Sequence, residues 1–118
     1  MGLCHSWLKD GTVCSSKTEA YLYIKLRGQK TFLHNKKYPL LGSCRYDFYI
    51  PEENKYIEVT SYNKKRCKWW FAYLRKIVKK RNHVKNTLKA NFEFIVKRLT
   101  RHEMRVVRAN MKFPQNTP

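Results

Sequence analysis

Two carboxylates on neighbouring segments are the residues best placed to do chemistry. Asp47 lies in residues 45–50 and Glu58 in residues 55–60, and both segments alternate apolar with polar side chains. This alternation predicts two β-strands, and the Pro-Glu-Glu-Asn sequence between them predicts a turn. A hairpin closed by this turn places Asp47 directly opposite Glu58 on one face of the sheet.

The other side chains of the hairpin support this register. Phe48 faces Ile57 and Tyr46 faces Val59, so the second face of the hairpin is wholly apolar. A slip of one residue would turn each apolar set towards the wrong face of the sheet. The apolar match therefore favours the register that opposes the two acids.

The opposed acids predict a cation site. Directly opposed carboxylates about 5 Å apart repel one another and destabilise a sheet. Mg²⁺, or Mn²⁺ in its place, is bound by one or two carboxylates together with phosphate and water. The register also places Arg45 opposite Thr60 beside the acids, and Glu19 opens a helix that could supply a third carboxylate. The alternative is a solvated pair of acids neutralised by Arg45 or by nearby lysines.

Capping patterns and periodicity predict the helices around this hairpin. Ser16 and Glu19 form a capping-box pattern for a helix that ends at Gly28, and a second such pattern begins at Thr100. A long amphipathic helix is expected from Lys68 onward. Its apolar face is expected to consist of Trp70, Leu74, Ile77 and Val78.

The strands complete a mixed α/β (α+β) fold class. Residues 30–35 and 92–97 each predict a further strand, which gives the order αβββαβα with a mixed sheet flanked by helices. A chain of 118 residues corresponds to a single domain. We expect a loosely packed N-terminal segment (1–15), an αβββαβ core (16–97), a basic C-terminal helix (98–113) and a frayed tail (114–118).

The charge is strongly positive and unevenly distributed. The chain has 26 Lys and Arg against 8 Asp and Glu, a net charge of +18. Residues 61–118 hold 17 basic and 2 acidic side chains, whereas residues 1–60 hold 9 and 6. Solubility requires a net charge of only about 2 to 8, so the excess predicts binding to nucleic acid. The expected nucleic-acid-binding residues are Lys64, Lys65, Arg66, Lys68, Lys76, Lys79, Lys80, Arg101, Arg105 and Arg108.

The composition argues against several other classes. The hydrophobic fraction of 42% is too high for a disordered basic tail. No apolar run of about 18 residues predicts a membrane span, and the first residues do not resemble an export signal. We therefore expect a cytoplasmic protein, with no membrane partner and with reduced cysteines. The absence of a glycine-rich phosphate loop argues against nucleoside-triphosphate chemistry.

The sequence Tyr-Asp-Phe-Tyr-Ile-Pro at residues 46–51, followed by a short turn and Tyr-Ile-Glu-Val-Thr at residues 56–60, resembles the core of PD-(D/E)XK nucleases. It is most similar to the small phage and intron homing endonucleases and the very-short-patch-repair enzymes of that superfamily. The resemblance covers residues 16–97. It implies a restriction-endonuclease-like core and a divalent-metal-dependent endonuclease that acts on DNA in the cytoplasm of a bacterial or phage-infected cell.

The resemblance also implies roles for individual residues. Asp47 corresponds to the motif Asp and Glu58 to the acid of (D/E)XK, while Glu19 corresponds to an acid often found on the first helix. Asp47, Glu58 and Val59 would hold Mg²⁺ or Mn²⁺. For Glu19 the alternative role is the helix-capping one described above.

The chain departs from the family pattern at Thr60, where a lysine is expected. That lysine polarises the scissile phosphate or orients the attacking water. Three interpretations remain open. Thr60 acts through its hydroxyl or main chain; a basic side chain from Lys64, Lys65 or Arg45 reaches the site; or the site is inactive.

The histidines and cysteines give only weak evidence for a metal site. The four histidines show no metal-ligand spacing and are expected at the surface. Cys4, His5 and Cys14 could form a zinc clip with Cys44 or Cys67, but their spacing is not that of a known zinc finger. Unpaired thiols are the favoured interpretation.

The functional expectation is a metal-dependent DNA endonuclease, homing-endonuclease-like. The alternatives are a Holliday-junction resolvase of the same superfamily and a non-catalytic basic nucleic-acid-binding domain. A protein that only binds DNA has no reason to oppose two acids on a surface that meets phosphate. Since one site cuts one strand, cleavage of both strands implies a homodimer.

Overall fold

The computed structural model describes residues 5–61 and 68–112, with the side chain of Lys68 excepted. The helices are α1 (Lys17–Arg27), α2 (Lys68–His83) and α3 (Arg101–Ala109). The strands are β1 (Ser6–Trp7), β2 (Val13–Cys14), β3 (Leu33–His34), β4 (Phe48–Ile50), β5 (Lys55–Ser61) and β6 (Asn91–Lys97). A 3₁₀ turn covers Pro51–Glu53, and a π-helical segment covers Val84–Leu88.

The main sheet has four strands in the order β3-β4-β5-β6. β3, β4 and β5 are antiparallel neighbours, whereas β6 is parallel to β5. A parallel pair needs a crossover connection, and α2 with the π-helical segment provides it. The mixed sheet flanked by helices confirms the predicted mixed α/β class.

Different helices cover the two faces of the sheet. On one face, Leu22 and Leu26 of α1 pack against a buried cluster that includes Phe48 and Ile57. On the other face, the Tyr73 ring of α2 lies 6.2 Å from the ring of Phe94 in β6. The side chains of each strand alternate between these two layers, as the period of a strand requires.

The helix ends follow the capping predictions. The Ser16 side chain accepts a hydrogen bond from the Glu19 amide, and Gly28 caps the end of α1. The Glu19 carboxylate bonds Ser15 and His34 instead, so only half of the predicted first capping box forms. At α3, Thr100 and Glu103 form a complete capping box, in which each side chain bonds the backbone amide of the other residue. These local contacts satisfy amides that a helix start leaves without a partner.

The N-terminal segment is more ordered than the sequence suggested. β1 and β2 form a small antiparallel pair. Leu8, which follows β1, and Cys14 of β2 are fully buried with Ala20 of α1 and Val107 of α3. The expectation of loose packing over residues 1–15 is therefore wrong for the part described, because apolar side chains anchor it between two helices.

Three details of the predicted elements also differ. β4 begins at Phe48 rather than at residue 45. Tyr46 does not face Val59; it packs in the cluster of Tyr38 and Tyr56 on the opposite face. Val78 was expected on the apolar face of α2 but is 45% exposed.

Within the described residues, no helix is both long and apolar enough to cross a membrane.

Candidate functional site

A pocket of about 530 Å³ opens beside the carboxyl half of β5. The start of α1 and the inward face of α2 complete its walls. Both predicted acids and Thr60 lie in its lining. The lining residues are Ser15, Ser16, Asp47, Glu58, Val59, Thr60, Ser61, Trp69, Trp70, Tyr73 and Lys80.

Asp47 and Glu58 are held by hydrogen bonds on neighbouring strands. Asp47 immediately precedes β4, and the observed ladder ends with the pairing of Phe48 and Ile57, next to Glu58 in β5. The Val59 amide donates to Asp47 Oδ2 at 2.7 Å, so the carboxylate takes the place of a ladder partner. The Tyr38 hydroxyl donates to Glu58 Oε2 at 2.7 Å. Each acid therefore has one oxygen fixed by a defined donor.

Lys80 of α2 brings a positive charge to these acids. Its Nζ lies 3.2 Å from Glu58 Oε2 and donates to the Arg45 carbonyl at 3.0 Å. The Lys80 side chain is only 19% exposed and passes over the Tyr38 ring. Lys80 was predicted to be one of many surface residues that bind DNA. The structure instead brings it to the acid pair.

The position of Lys80 in the sequence carried a signal that could have found it. Lys80 follows the buried Ile77 by one helical turn, and residues at that spacing share a face of the helix. A lysine on the inward face of an amphipathic helix reaches the sheet that the helix covers. The interpretations of the missing motif lysine considered only Lys64, Lys65 and Arg45.

The electrostatics of the pocket favour a bound cation. Burial raises the pKa of Asp47, and the charges of Glu58 and Glu19 raise it further. Burial also raises the pKa of Glu58, although Lys80 and the Tyr38 hydrogen bond oppose this effect. Glu58 is only 3% exposed. A cation would stabilise these buried carboxylates in their ionised form. A set of ligands made only of oxygen atoms suits Mg²⁺ or Mn²⁺.

Thr60 is part of the pocket lining, whereas Arg45 is not. Thr60 lines the pocket and hydrogen-bonds with Tyr73, whose pKa is raised mainly by burial. Arg45 does not pair with Thr60; it forms an isolated bridge with Lys37. Its guanidinium donates to the Asn35 carbonyl at 2.8 Å. The predicted place of Arg45 beside the acids is therefore wrong, because the chain leaves the β5 ladder before Phe48.

Glu19 lies next to the acid pair but faces other partners. Its Oε1 accepts from the Ser15 hydroxyl at 2.7 Å, and its Oε2 lies 2.6 Å from His34 Nε2. The negative charge of Glu19 still raises the pKa values of Asp47 and Glu58. Glu19 thus adds to the negative field of the pocket while its oxygens are engaged by Ser15 and His34.

His34 is half-buried rather than a surface residue, which corrects the expectation for it. One ligand atom each from Cys14, Glu19 and His34 lie within 4.8 Å of one another. The expected zinc clip grouped Cys14 with different residues, namely Cys4, His5, Cys44 and Cys67. His5 is exposed and Cys44 lies in the cluster around Tyr38, while Cys4 and Cys67 lie outside the described residues.

Among the predicted DNA-binding residues, the arginines of α3 line one groove. Arg101, Arg105 and Arg108 are exposed along it, as their spacing predicted. Lys76 and Lys79 are exposed on α2. Lys64, Lys65, Arg66 and the side chain of Lys68 lie outside what the structure describes.

A second groove links the α3 arginines to the acid pocket. This groove shares Ser61 with the acid pocket and shares Leu99 and Met104 with the α3 groove. Lys17, Lys97 and Arg98 also line it. The three concave surfaces therefore form one basic path that ends at the acid pair.

An aromatic pair stands at the edge of the pocket. Trp69 is 62% exposed, and its ring stacks on Tyr73 at a centroid distance of 5.8 Å and an interplanar angle of 10°. Trp69 and Tyr73 both line the pocket. Trp70 lines it too, but its side chain is buried. A flat exposed ring at this position is suited to stack on a base.

No family model, curated protein or solved structure matches the chain.

Proposed function

We propose that this chain is a divalent-metal-dependent DNA endonuclease with a PD-(D/E)XK type of site. The observation that carries the proposal is the meeting of Asp47, Glu58 and Lys80 in one pocket at the end of a basic path. A restriction-endonuclease-like core is part of the same proposal. The antiparallel β3-β4-β5 unit, the α2 crossover and the parallel β6 support it.

Asp47 and Glu58 act as the metal-binding acids, with the Val59 carbonyl as a further oxygen donor. The Val59 amide and the Tyr38 hydroxyl fix one oxygen of each acid, which limits the rotation of the carboxylates. When bound there, a divalent cation supplies an acidified water and neutralises charge on the scissile phosphate. Fixed acids avoid the entropy cost of ordering ligands during the reaction.

Lys80 takes the role that the family pattern gives to a lysine at the position of Thr60. An ammonium group 3.2 Å from Glu58 lies within reach of a phosphate oxygen or an attacking water at the same acid. Its partial burial strengthens its interaction with developing negative charge. Thr60 keeps a hydroxyl in the pocket and needs no charge of its own.

The basic path binds the backbone of the substrate. Lys17, Lys97 and Arg98 lie between the acid pocket and the α3 groove, so a strand that follows them brings a phosphate to Asp47 and Glu58. Contacts to phosphate supply affinity without reading sequence. Homing-endonuclease-like cutting of both strands then requires a homodimer, which light scattering with and without DNA tests.

Two alternatives to this endonuclease predict different outcomes in DNA cleavage assays. A Holliday-junction resolvase would cut a four-way junction in preference to the matched linear duplex. A non-catalytic DNA-binding domain is favoured by one observation, namely that Lys80 already neutralises Glu58 without a metal. Such a domain would bind DNA and cut nothing under any metal condition.

The test is nicking of supercoiled plasmid with Mg²⁺ or Mn²⁺, compared with EDTA. Wild type is expected to nick only with metal, and Asp47→Asn and Glu58→Gln are expected to nick at least about 100-fold more slowly. Lys85→Met is the control, because Lys85 is exposed on the surface and lines neither the acid pocket nor the connected grooves. Nicking by wild type in EDTA, or equal nicking by the acid variants, would sink the proposal.

A further inference from the structure

The cluster of Cys14, Glu19 and His34 joins three elements that are separate in sequence. Cys14 ends β2, Glu19 lies in the first turn of α1, and His34 ends β3. One donor atom of each lies within 4.8 Å of the others. Cys14 is fully buried, and the side chains of Glu19 and His34 are 5% and 13% exposed.

We propose that Cys14, Glu19 and His34 form a second cation site, specific for a borderline-soft divalent ion of the Zn²⁺ class. The site is distinct from the Asp47/Glu58 site in its donors, and it does not depend on the proposed nuclease activity. Its fourth position is filled by water.

The donor set selects the metal class. Thiolate and imidazole are preferred by Zn²⁺, whereas Mg²⁺ takes oxygen ligands alone. In a tetrahedral zinc site, bonds of about 2.0–2.3 Å place ligand atoms roughly 3.3–3.7 Å apart. Glu19 Oε2 and His34 Nε2 are closer than this at 2.6 Å, and all three donors lie within 4.8 Å. Side-chain shifts of about 1 Å therefore suffice to admit the ion.

The residues around the cluster hold the donors in place. The Ser15 hydroxyl fixes Glu19 Oε1 and leaves Oε2 directed at His34. The rings of Phe48 and Tyr23 lie 5.1 Å and 5.2 Å from the His34 ring and restrict its rotation. Contacts that orient a metal ligand are a regular part of metal sites.

Ser6 is an independent sign that the cluster is incomplete. Ser6 pairs directly with Cys14 across β1 and β2, so the two side chains share a face. Its hydroxyl is buried and has no hydrogen-bond partner among the residues that the structure describes. A buried hydroxyl without a partner is costly, and a Cys14 thiolate bound to a metal would accept its hydrogen bond.

Binding of the metal ion is accompanied by the release of protons. The Cys14 thiol loses its proton to solvent as the metal–sulfur bond forms. The hydrogen between His34 Nε2 and Glu19 Oε2 also leaves that contact, because a metal ligand must present an unprotonated atom. Burial and the neighbouring acids hold the pKa of free Cys14 near 12, so the proton leaves only when the ion replaces it. Apparent affinity for the metal therefore rises with pH. The bound ion would crosslink β2, α1 and β3.

The test is a Co²⁺ titration of the full, reduced, metal-free chain, followed by absorption. Cobalt replaces zinc and gives a sulfur-to-metal charge-transfer band when a thiolate binds it. A triple variant with Cys4→Ser, Cys44→Ser and Cys67→Ser leaves Cys14 as the sole thiol. This variant is expected to give the band with one Co²⁺ per chain, and zinc should remove it.

Variants at each of the two proposed cation sites distinguish cobalt binding at one site from binding at the other. Cys14→Ser in the wild-type background is expected to abolish the band, and His34→Gln to weaken cobalt binding at least tenfold. Asp47→Asn combined with Glu58→Gln is expected to keep the band, whatever its effect on DNA cleavage. Circular dichroism checks that each variant is folded.

Zinc binding also has a thermal readout. At a hundredfold excess over its dissociation constant, Zn²⁺ should raise the melting temperature of wild type by about 10 °C and leave Cys14→Ser unchanged. If the sole-thiol variant is unfolded, the difference between wild type and Cys14→Ser decides the question. Absence of the cobalt band in wild type, or a band of equal strength in Cys14→Ser, overturns the proposal.

Discussion

Lys80 Nζ lies 3.2 Å from Glu58 Oε2, although one residue is on a helix and the other on a strand of the sheet beneath it. Under the proposed function, this pair would supply the positive charge that the PD-(D/E)XK pattern expects from a lysine at the position of Thr60. The positive charge enters from α2 and reaches the same acid. The contact between Lys80 and Glu58 predicts how variants of Lys80 and Thr60 should behave.

Replacing Lys80 by Met should lower the cleavage rate by about 100-fold, because the variant has no preorganised charge at the phosphate. DNA affinity should change by less than about threefold, since one phosphate contact is a small share of the total. Lys85→Met, at an exposed position outside the three connected grooves, is the control, and it should retain the wild-type rate. A decrease in binding as large as the decrease in rate would assign Lys80 to the binding surface.

A lysine at the position of Thr60 should partly restore the Lys80→Met variant. Thr60 lines the same pocket, so Thr60→Lys returns an ammonium group to the acids from β5. We expect the double variant Thr60→Lys/Lys80→Met to cut at least tenfold faster than Lys80→Met alone. Equal rates for these two variants, with both folded, would show that Lys80 acts in another way.

The hairpin register and the helix caps were predictable because they depend on neighbouring residues. The apolar match predicted that Phe48 faces Ile57, and the observed pairing confirms it. Tyr46 was misplaced because its burial depends on Tyr38, in the loop between β3 and β4, which strand periodicity does not include.

The interactions made through packing were not predictable in the same way. Lys80 reaches Glu58 only because α2 crosses the sheet in a particular position. Cys14 and His34 meet only because β2 and β3 both pack beside α1. The spacing from Ile77 places Lys80 on the inward face of α2 but does not identify Glu58 as its partner. No sequence spacing marks the meeting of Cys14 with His34.

The metal-free protein should lose stability as the pH rises from about 4 towards neutral. Burial and neighbouring charges raise the pKa of Asp47 in the folded protein. A carboxyl with a raised folded pKa stabilises the fold while it is protonated, and this stabilisation is lost as pH rises through the folded pKa. Thermal melts of the metal-free protein across this range measure the effect.

Asp47→Asn removes that charge and keeps an oxygen that can accept from the Val59 amide. At pH 7.5 without metal, its melting temperature should exceed that of wild type by at least about 4 °C, which corresponds to one pKa unit. Added Mn²⁺ should stabilise wild type and leave the variant unchanged. A variant that melts below wild type at every pH would mean that ionised Asp47 is itself stabilising.

The α3 arginines should supply affinity without sequence preference. Replacing Arg101, Arg105 and Arg108 together by Ala should weaken binding to any duplex. The slope of log affinity against log salt should become less steep by about 0.9 for each phosphate that the variant no longer neutralises. Lys85→Ala is the control, because this exposed residue lines none of the three connected grooves. An unchanged slope would remove α3 from the binding path.

The rate of plasmid nicking as a function of Mn²⁺ concentration tests the central claim most directly. Wild type should show a rate that is zero in EDTA and saturates with metal, and Lys80→Met should show the same saturation with a lower maximum. Asp47→Asn should show no saturable response, because one of the two opposed acids is missing. A wild-type protein that binds DNA but nicks no plasmid at any Mn²⁺ concentration would contradict the account.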